Sequence, residues 1–350
     1  MGAIVWLASY PKSGNTWTRA YLNNLLRNPD QPAGINELDW FTLGESSSRW
    51  FQDLIDKPIT EYSKAEIAEL RPKAQEELTK ASQDSVFVKT HNILGLWYDH
   101  PLHNMDITVA AIYIVRNPLD VCISMTSHYG MTLDQALFRL AQGAAVTGLS
   151  DANVPEVHGD WSSHVKSWTQ PHPQMLVLRY EDMKHKPFPT FNTMARFLGL
   201  KPPKERVRKA IKFSSFKELK KQEQKEEFKE RSEHAEVFFR EGKSGQWKDT
   251  LSEDQIARLL EDHHEQMARF NYLPTDWEER IAAWHKRIAT GEAESREEFD
   301  ARIAAEMAAK GLQEAEEGGR GADRQAFADE DGAIGQLPGV EDANQAAAGK

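Results

Sequence analysis

The stretch Ile4–Trp17, "IVWLASYPKSGNTW", constrains the fold more than any other part of the chain. Its first six residues are almost all apolar and do not alternate, which reads as a strand buried on both faces, the kind found in parallel sheets. A helical stretch, Thr16–Leu26, follows the polar turn. A strand entering a helix this way presents the free N–H groups of the first helical turn, at the positive end of the macrodipole, and so favours an anion. Gly14 permits close backbone approach, Ser13, Asn15 and Thr16 add side-chain donors, and Lys12 supplies charge. The lysine nevertheless precedes the glycine, whereas a Walker A loop requires G-x-x-x-x-G-K-[ST].

Two further runs read as buried strands, Ser85–Lys89 "SVFVK" and Ile107–Val115 "ITVAAIYIV", with a weaker fourth at Met175–Arg179. Helical stretches at Lys64–Ala81, Leu119–Tyr129, Asp134–Val146 and Trp161–Trp168 separate them. This alternation suits right-handed crossovers and a parallel sheet covered on both faces. Ligands of such sheets bind at the carboxyl ends of the strands. "SYPKSGNTW", "KTHN" and "RNPLD" lie at three of those ends. Lys89 and His91 are two apart and face one side of their strand, where a histidine of near-neutral pKa suits a general base. Taken alone, His91 also fits a hydrogen-bonded structural histidine. Arg116 ends an apolar strand, eight residues before Ser124, and its fork suits a phosphate. A salt bridge to Asp120 explains that arginine equally well.

Composition narrows the choices. The 350 residues, 40% of them hydrophobic and ten of them Trp, suffice for one large α/β domain or two smaller ones. The net charge of −11 is concentrated in residues 291–350, which hold 15 acids against 6 bases, so the body is near neutral. Broad nucleic-acid binding, which needs a basic face, is not expected. The single cysteine, Cys122, excludes an intrachain disulfide and reads as a small buried hydrophobe. With no basic n-region and no apolar run near ~18 residues, no signal peptide, membrane span or membrane partner is expected, and the chain reads as soluble and cytoplasmic. Residues 201–235 read as exposed helix and loop, and "TDWE" at 275–278 has the spacing of a capping box. The domain is expected over 1–290. The acidic 291–350 extension is expected to be helical over Arg296–Lys310 and disordered from Gly311. His263 and His264 are adjacent, so they cannot share a helix face; they read as a solvated face, not a metal site.

Taken together, the three loops resemble the PAPS-dependent sulfotransferase family of the cytosolic type. "YPKSGNTW" resembles its 5′-phosphosulfate loop, usually YPKSGTTW, "KTH" at 89–91 the segment of its catalytic histidine, and "VRNPLDVCIS" its 3′-phosphate motif. "GDWSSHVKSW" (159–168), "RYEDM" (179–183), "SSFKELKK" (214–221) and "FFREGKSGQWK" (238–248) follow in order, so the likeness spans roughly residues 4–250. The resemblance implies an α/β fold, a P-loop-NTPase-like central parallel sheet flanked by helices on both faces. It implies sulfuryl transfer from PAPS as cosubstrate, without a metal, to a small-molecule hydroxyl or amine acceptor, leaving PAP. His91 would take the acceptor's proton, Lys12 would stabilise the leaving phosphate, and Lys89 would assist near the sulfuryl oxygens. Ser13, Gly14, Asn15, Thr16 and Trp17 would hold the 5′-phosphate, with Trp17 also flanking the adenine. Arg116, Ser124, Arg240 and Gly242 would hold the 3′-phosphate, and Tyr180, Ser214 and Phe216 would line adenine and ribose. The residue chemistry agrees: in-line transfer of a monoanionic sulfuryl group needs a base and cations, and no Walker B Asp or paired metal-ligand carboxylates stand beside these loops.

Three departures from the family pattern stand out. Asn15 replaces the usual Thr, Glu241 replaces a lysine that Lys243 is expected to stand in for, and "WKDTLSEDQIA" lacks the Lys-Thr-Val-Glu dimer motif. A monomer, or a homodimer formed in another way, is therefore expected. The segments 30–60, 128–160 and 222–240 are expected around the acceptor. Trp40, Phe41, Trp50 and Phe51 are candidate wall residues, though core packing accounts for them equally. The rival readings are a nucleotide kinase or NTPase with a degenerate P-loop and a PAP-binding protein without turnover.

Overall fold

In the computed structural model, which describes residues 2–316, the strands of the central sheet are β1 (Ile4–Ser9), β2 (Thr42–Gly44), β3 (Val86–Thr90), β4 (Thr108–Val115) and β5 (Met175–Arg179), and Leu96–Trp97 pairs with His100–Pro101 in a separate antiparallel ribbon. The central sheet is ordered β2-β3-β1-β4-β5, with every neighbouring pair parallel. The main helices are α1 (Asn15–Arg27), α2 (Lys64–Thr79), α3 (Pro118–Tyr129), α4 (Leu133–Ala141), α5 (Trp161–Trp168), α6 (Pro187–Phe197), α7 (Lys204–Phe213), α8 (Phe216–Lys225), α9 (Glu253–Arg269), α10 (Trp277–Ala289) and α11 (Arg296–Glu316). The strand β2 has no counterpart in the sequence reading, because three residues are too short for a periodic signal.

Both faces of the sheet are apolar, which is why β1 shows no alternation. Ile4, Trp6 and Ala8 face one core together with Tyr113, Leu119, Trp161 and Leu259. Leu7, Ile112 and Ile114 face another with Tyr21, Leu22, Phe191 and Val207. Register then builds the site. Leu7 pairs with Lys89, Ser9 with Ile114 and Val115 with Arg179, so β1, β3, β4 and β5 end side by side. The loops leaving them carry Lys12, His91, Arg116 and Tyr180 to one rim.

Local chemistry sets the helix ends. Asn117 caps α3 by accepting the Leu119 N–H at 3.0 Å, with Pro118 in the first turn, and capping boxes at Ser63/Glu66, Thr132/Gln135 and Ser252/Gln255 start α2, α4 and α9. The box expected at Thr275 does not form. Helix α10 begins after Asp276, whose carboxylate is taken by Arg280 Nε at 2.9 Å instead of by backbone N–H groups. Helix α4 ends at Ala141 rather than Val146; Gly143 follows, and Val146 forms an antiparallel bridge with Val157. Helix α11 runs to Glu316, past the expected end at Lys310, because one interior glycine, Gly311, costs only about 1 kcal/mol against strong helix formers. It packs on the body through buried Phe299 and Ile303, and Arg302 bonds Asp134 at 3.0 Å. The disorder expected from Gly311 does not hold through Glu316, and its remainder lies outside the described residues.

Candidate functional site

The loop Tyr10–Gly14 is the anchor of the rim. Lys12 and Gly14 both have positive φ, 65° and 110°, and a Cβ on Gly14 would lie 2.8 Å from Tyr180 Cδ2, so only glycine fits there. Helix α1 starts without a side-chain cap, and its first turn closes with the Thr18 N–H on the Gly14 carbonyl. The N–H groups of Asn15, Thr16 and Trp17 therefore have no helical acceptor and stand at the dipole's positive end. Asn15 does more for the loop than for a ligand. Its Nδ2 donates to the Leu7 carbonyl at 2.8 Å and ties the turn to β1.

Cationic side chains surround this helix end. Burial, with Arg116 and Lys89 nearby, lowers the Lys12 pKa to about 7 against the opposing pull of Glu230 and Glu223. Its Nζ sits 4.1 Å above the Phe238 ring. Arg116 donates Nη1 to the Lys12 carbonyl at 2.7 Å and stacks on Tyr180, and its Nε has no partner. Asp120 does not pair with it. That carboxylate instead accepts the backbone N–H groups of Gly245 (2.6 Å) and Trp247 (3.3 Å), fixing the segment 245–247 to α3. Glu241, which stands where the family has a lysine, pairs with Lys243 at 3.0 Å on the exposed edge of the site. Gly242, at φ 59°, lies so close to Phe216 that an added Cβ would come within 2.3 Å of the ring.

The far end of the same cavity holds His91. Its Nδ1 lies 2.7 Å from the Ser9 carbonyl, which can only accept, so the proton is on Nδ1 and Nε2 keeps its lone pair. The His91 carbonyl in turn accepts from His164 Nε2 at 3.1 Å. Burial lowers the His91 pKa to about 4, so the ring is neutral near pH 7. Lys89 Nζ stands 4.0 Å from Glu230, which is also held by the buried Arg19 at 2.7 Å. Beneath this end, Glu45 is pushed up to about 7 by burial, partly offset by Arg71, and it accepts from Arg71, Gln75, Thr90 and Asn92.

Lys12, Gly14, Asn15, Thr16, Trp17 and Lys89 line this one cavity, as do His91, Arg116, Ser124, Tyr180, Phe216, Arg240 and Gly242. Two expected residues stand off it. Ser13 is fully buried with no partner for Oγ, and Ser214 donates its hydroxyl back to the Ala210 carbonyl at 2.8 Å. The aromatics of 30–60 are also off the wall: Trp40 is exposed, Phe41 stacks on Phe87, Trp50 bonds the Gly44 carbonyl and Phe51 is core. The other two expected segments do contribute, through His128, Tyr129 and Glu156 and through Glu230, Val237 and Phe238. Glu156 and Glu230 went unnoticed in the sequence, because nothing near either forms a motif. His263 is buried against Ser162 (2.9 Å) rather than solvated, and no group of three or more potential metal ligands occurs among the described residues. None of the described helices is long and apolar enough to cross a membrane.

The sequence profile of the Sulfotransferase domain matches residues 4–271. The chain is 28% identical to Sulfotransferase 1A1 of Canis lupus familiaris over 75% of its own length and 82% of that protein's. It is 26% identical to Flavonol 3-sulfotransferase of Flaveria bidentis, over 73% and 78%. Two solved structures share the fold: retinol dehydratase in complex with androsterone and inactive cofactor PAP (TM-score 0.55, 20% identity, 75% of this chain and 80% of that one) and mouse sulfotransferase SULT7A1 complexed with PAP (0.51, 22%, 76% and 84%). The α/β architecture with its P-loop-NTPase-like parallel sheet, the profile match over most of the chain and these relatives agree: the chain belongs to the sulfotransferase family and is a sulfotransferase.

Proposed function

We propose that the chain moves the sulfuryl group of PAPS to a hydroxyl or amine of a small-molecule acceptor and releases PAP. The single observation that carries the reading is His91, a neutral base with Nδ1–H fixed on the Ser9 carbonyl, on the same strand-end rim as the cationic anion loop. The buried polar atoms without partners on the cavity wall fit such a ligand: Trp17 Nε1 and Arg116 Nε are donors awaiting acceptors. So do the unbonded N–H groups at the start of α1, and the solved relatives hold PAP.

In this mechanism the acceptor oxygen or nitrogen attacks sulfur while its proton passes to His91 Nε2. The new bond to sulfur forms as the bridging S–O bond breaks, and the electron pair of that bond leaves on the 5′-phosphate. Lys12, once protonated, and the α1 N–H groups stabilise that charge, and Lys89 holds the sulfuryl oxygens. Arg116, Ser124, Arg240 and the Gly242 backbone hold the 3′-phosphate, Tyr180 and Phe216 the nucleoside, and Thr16 and Trp17 the 5′ end. Soluble, cytoplasmic action belongs to the same reading. The test is His91→Ala: PAP should still raise the melting temperature, while transfer from labelled PAPS falls by about 10²–10⁴. Full activity in His91→Ala would refute the base assignment, and stronger protection by ATP with magnesium than by PAP would favour a kinase.

A further inference from the structure

We infer that the acceptor carries a protonated amine beside the hydroxyl that receives the sulfuryl group, and that Glu156 binds that amine. The inference rests on the transfer reaction proposed above. Three carboxylates line the cavity. Glu230 is answered by Arg19 at 2.7 Å and Lys89 at 4.0 Å, and Glu241 by Lys243 at 3.0 Å. Glu156 differs. Among the described residues its carboxylate has one partner, His158 Nε2 at 3.3 Å.

That partner is neutral. Arg139 Nη2 lies 3.3 Å from His158 Nδ1; a guanidinium only donates, so Nδ1 accepts and the ring's proton sits on Nε2, directed at Glu156. Burial lowers the His158 pKa further. Burial alone would also raise that of Glu156, but the hydrogen bond donated by the neutral His158 and the charge of Lys89 pull it down, and the carboxylate opens on the cavity, so it is ionised. One of its oxygens, Oε1, is left without a protein donor on the cavity wall. An ionised carboxylate so placed, part-exposed in the cavity, is free to take a donor from the ligand in place of water.

Its position assigns it to the acceptor rather than the nucleotide. The Val157 N–H bonds Asn92 Oδ1 at 2.5 Å and the Ile93 N–H bonds the Val157 carbonyl at 2.7 Å, so residues 156–158 are fastened to the turn that carries His91. The His158 and His91 rings stand edge to face, 6.4 Å apart. A neutral donor such as a second hydroxyl would leave the charge uncompensated, whereas an ammonium supplies both hydrogen bond and counter-charge. Lys89 lies on this side too, but it and Arg19 are answered together by Glu230 and Asp39. Tyr129, Val237 and Phe238 on the wall suit the hydrocarbon joining amine and hydroxyl.

The test compares acceptor pairs alike in shape but differing in the amine: tyramine against 4-ethylphenol, and 3-amino-1-propanol against 1-butanol, with labelled PAPS and the full chain. The wild type should favour the ammonium member of at least one pair by about tenfold or more in kcat/KM. Glu156→Gln should bring that ratio to about one, and Glu156→Asp, which keeps the charge, should preserve a preference. PAP protection in a melt checks that each variant is folded. A wild-type ratio near one, a ratio that survives Glu156→Gln, or no turnover of any ammonium member overturns the inference, and equal loss on both members assigns the carboxylate to His91 instead. If PAP neither binds nor forms with any acceptor, the transfer reading itself fails.

Discussion

Lys12 offers a test in which pH is the perturbation. Burial, assisted by Arg116 and Lys89, lowers its pKa from 10.5 to about 7 in the free protein. A nucleotide phosphate beside Nζ favours the ammonium, so binding draws a proton onto Lys12 wherever the free protein has lost it. The sign follows: below pH 7 the lysine is already charged and affinity is flat, and above pH 7 each unit weakens PAP binding about tenfold. Between pH 6 and pH 9 the dissociation constant should rise about a hundredfold, or about 2.7 kcal/mol. The ligand's phosphates, with second pKa values near ~6, are already ionised over most of this span. Isothermal titration in buffers of differing ionisation enthalpy reads the uptake directly: about half a proton per PAP at pH 7 and nearly one at pH 9. Lys12→Arg, charged throughout, should flatten the profile. A wild-type affinity constant from pH 6 to pH 9, with no proton uptake, would refute the reasoning, since Lys12 would then be charged in the free site or remote from the phosphate.

Two substitutions probe the frame around the site. Gly242→Ala places a methyl 2.3 Å from Phe216 at φ 59°, whereas Gly245→Ala, at φ 80°, meets nothing within 4 Å. The first should weaken PAP by tenfold or more through about 1–3 kcal/mol of overpacking, the second should cost only backbone strain, and equal binding by both in a titration would sink the distinction. In α11, Phe299 is 3% exposed and Ile303 fully buried. Phe299→Ala should cost about 3–5 kcal/mol and Ile303→Ala about 2–5 in urea unfolding. A loss below about 1 kcal/mol for both would mean that α11 does not pack on the body.

What the sequence made legible follows from where its signals are local. The strands β1 and β5 and the helix α5 are read to the residue because an unbroken apolar run, buried on both faces in β1, or a capped amphipathic turn is written within each segment. The rim is legible for the same reason, since each of its loops starts where an apolar run stops. The sequence leaves Ser214 and the aromatics at 40–51 open because a side chain's direction depends on tertiary packing: Ser214 turns back to its own helix, and Phe41 finds Phe87. The carboxylates were invisible for a different reason. Glu156 and Glu230 acquire meaning only from Lys89, His91 and Arg19, up to 211 residues away, and no spacing rule links them.

Charge at the cavity is divided, and the division explains the departure at Glu241. A carboxylate beside a phosphate site would repel it, yet this one faces Lys243 at 3.0 Å, so the pair presents no net charge. The neighbouring cations are bound to carbonyls rather than carboxylates: Arg116 to those of Lys12 and Lys243, Lys184 to that of Gly242. A carbonyl compensates a cation only in part, so Arg116 and Lys184 keep their charge available to an anion. At the other end Arg19 and Lys89 are matched by Glu230 and Asp39, and Glu156 is left over. One end of the cavity thus holds surplus positive charge and the other a surplus carboxylate, next to a base that is neutral until it accepts a proton. Transfer in such a field moves negative charge toward the loop that carries Lys12 and a proton toward the carboxylate end, so both displacements run with the protein's electrostatics.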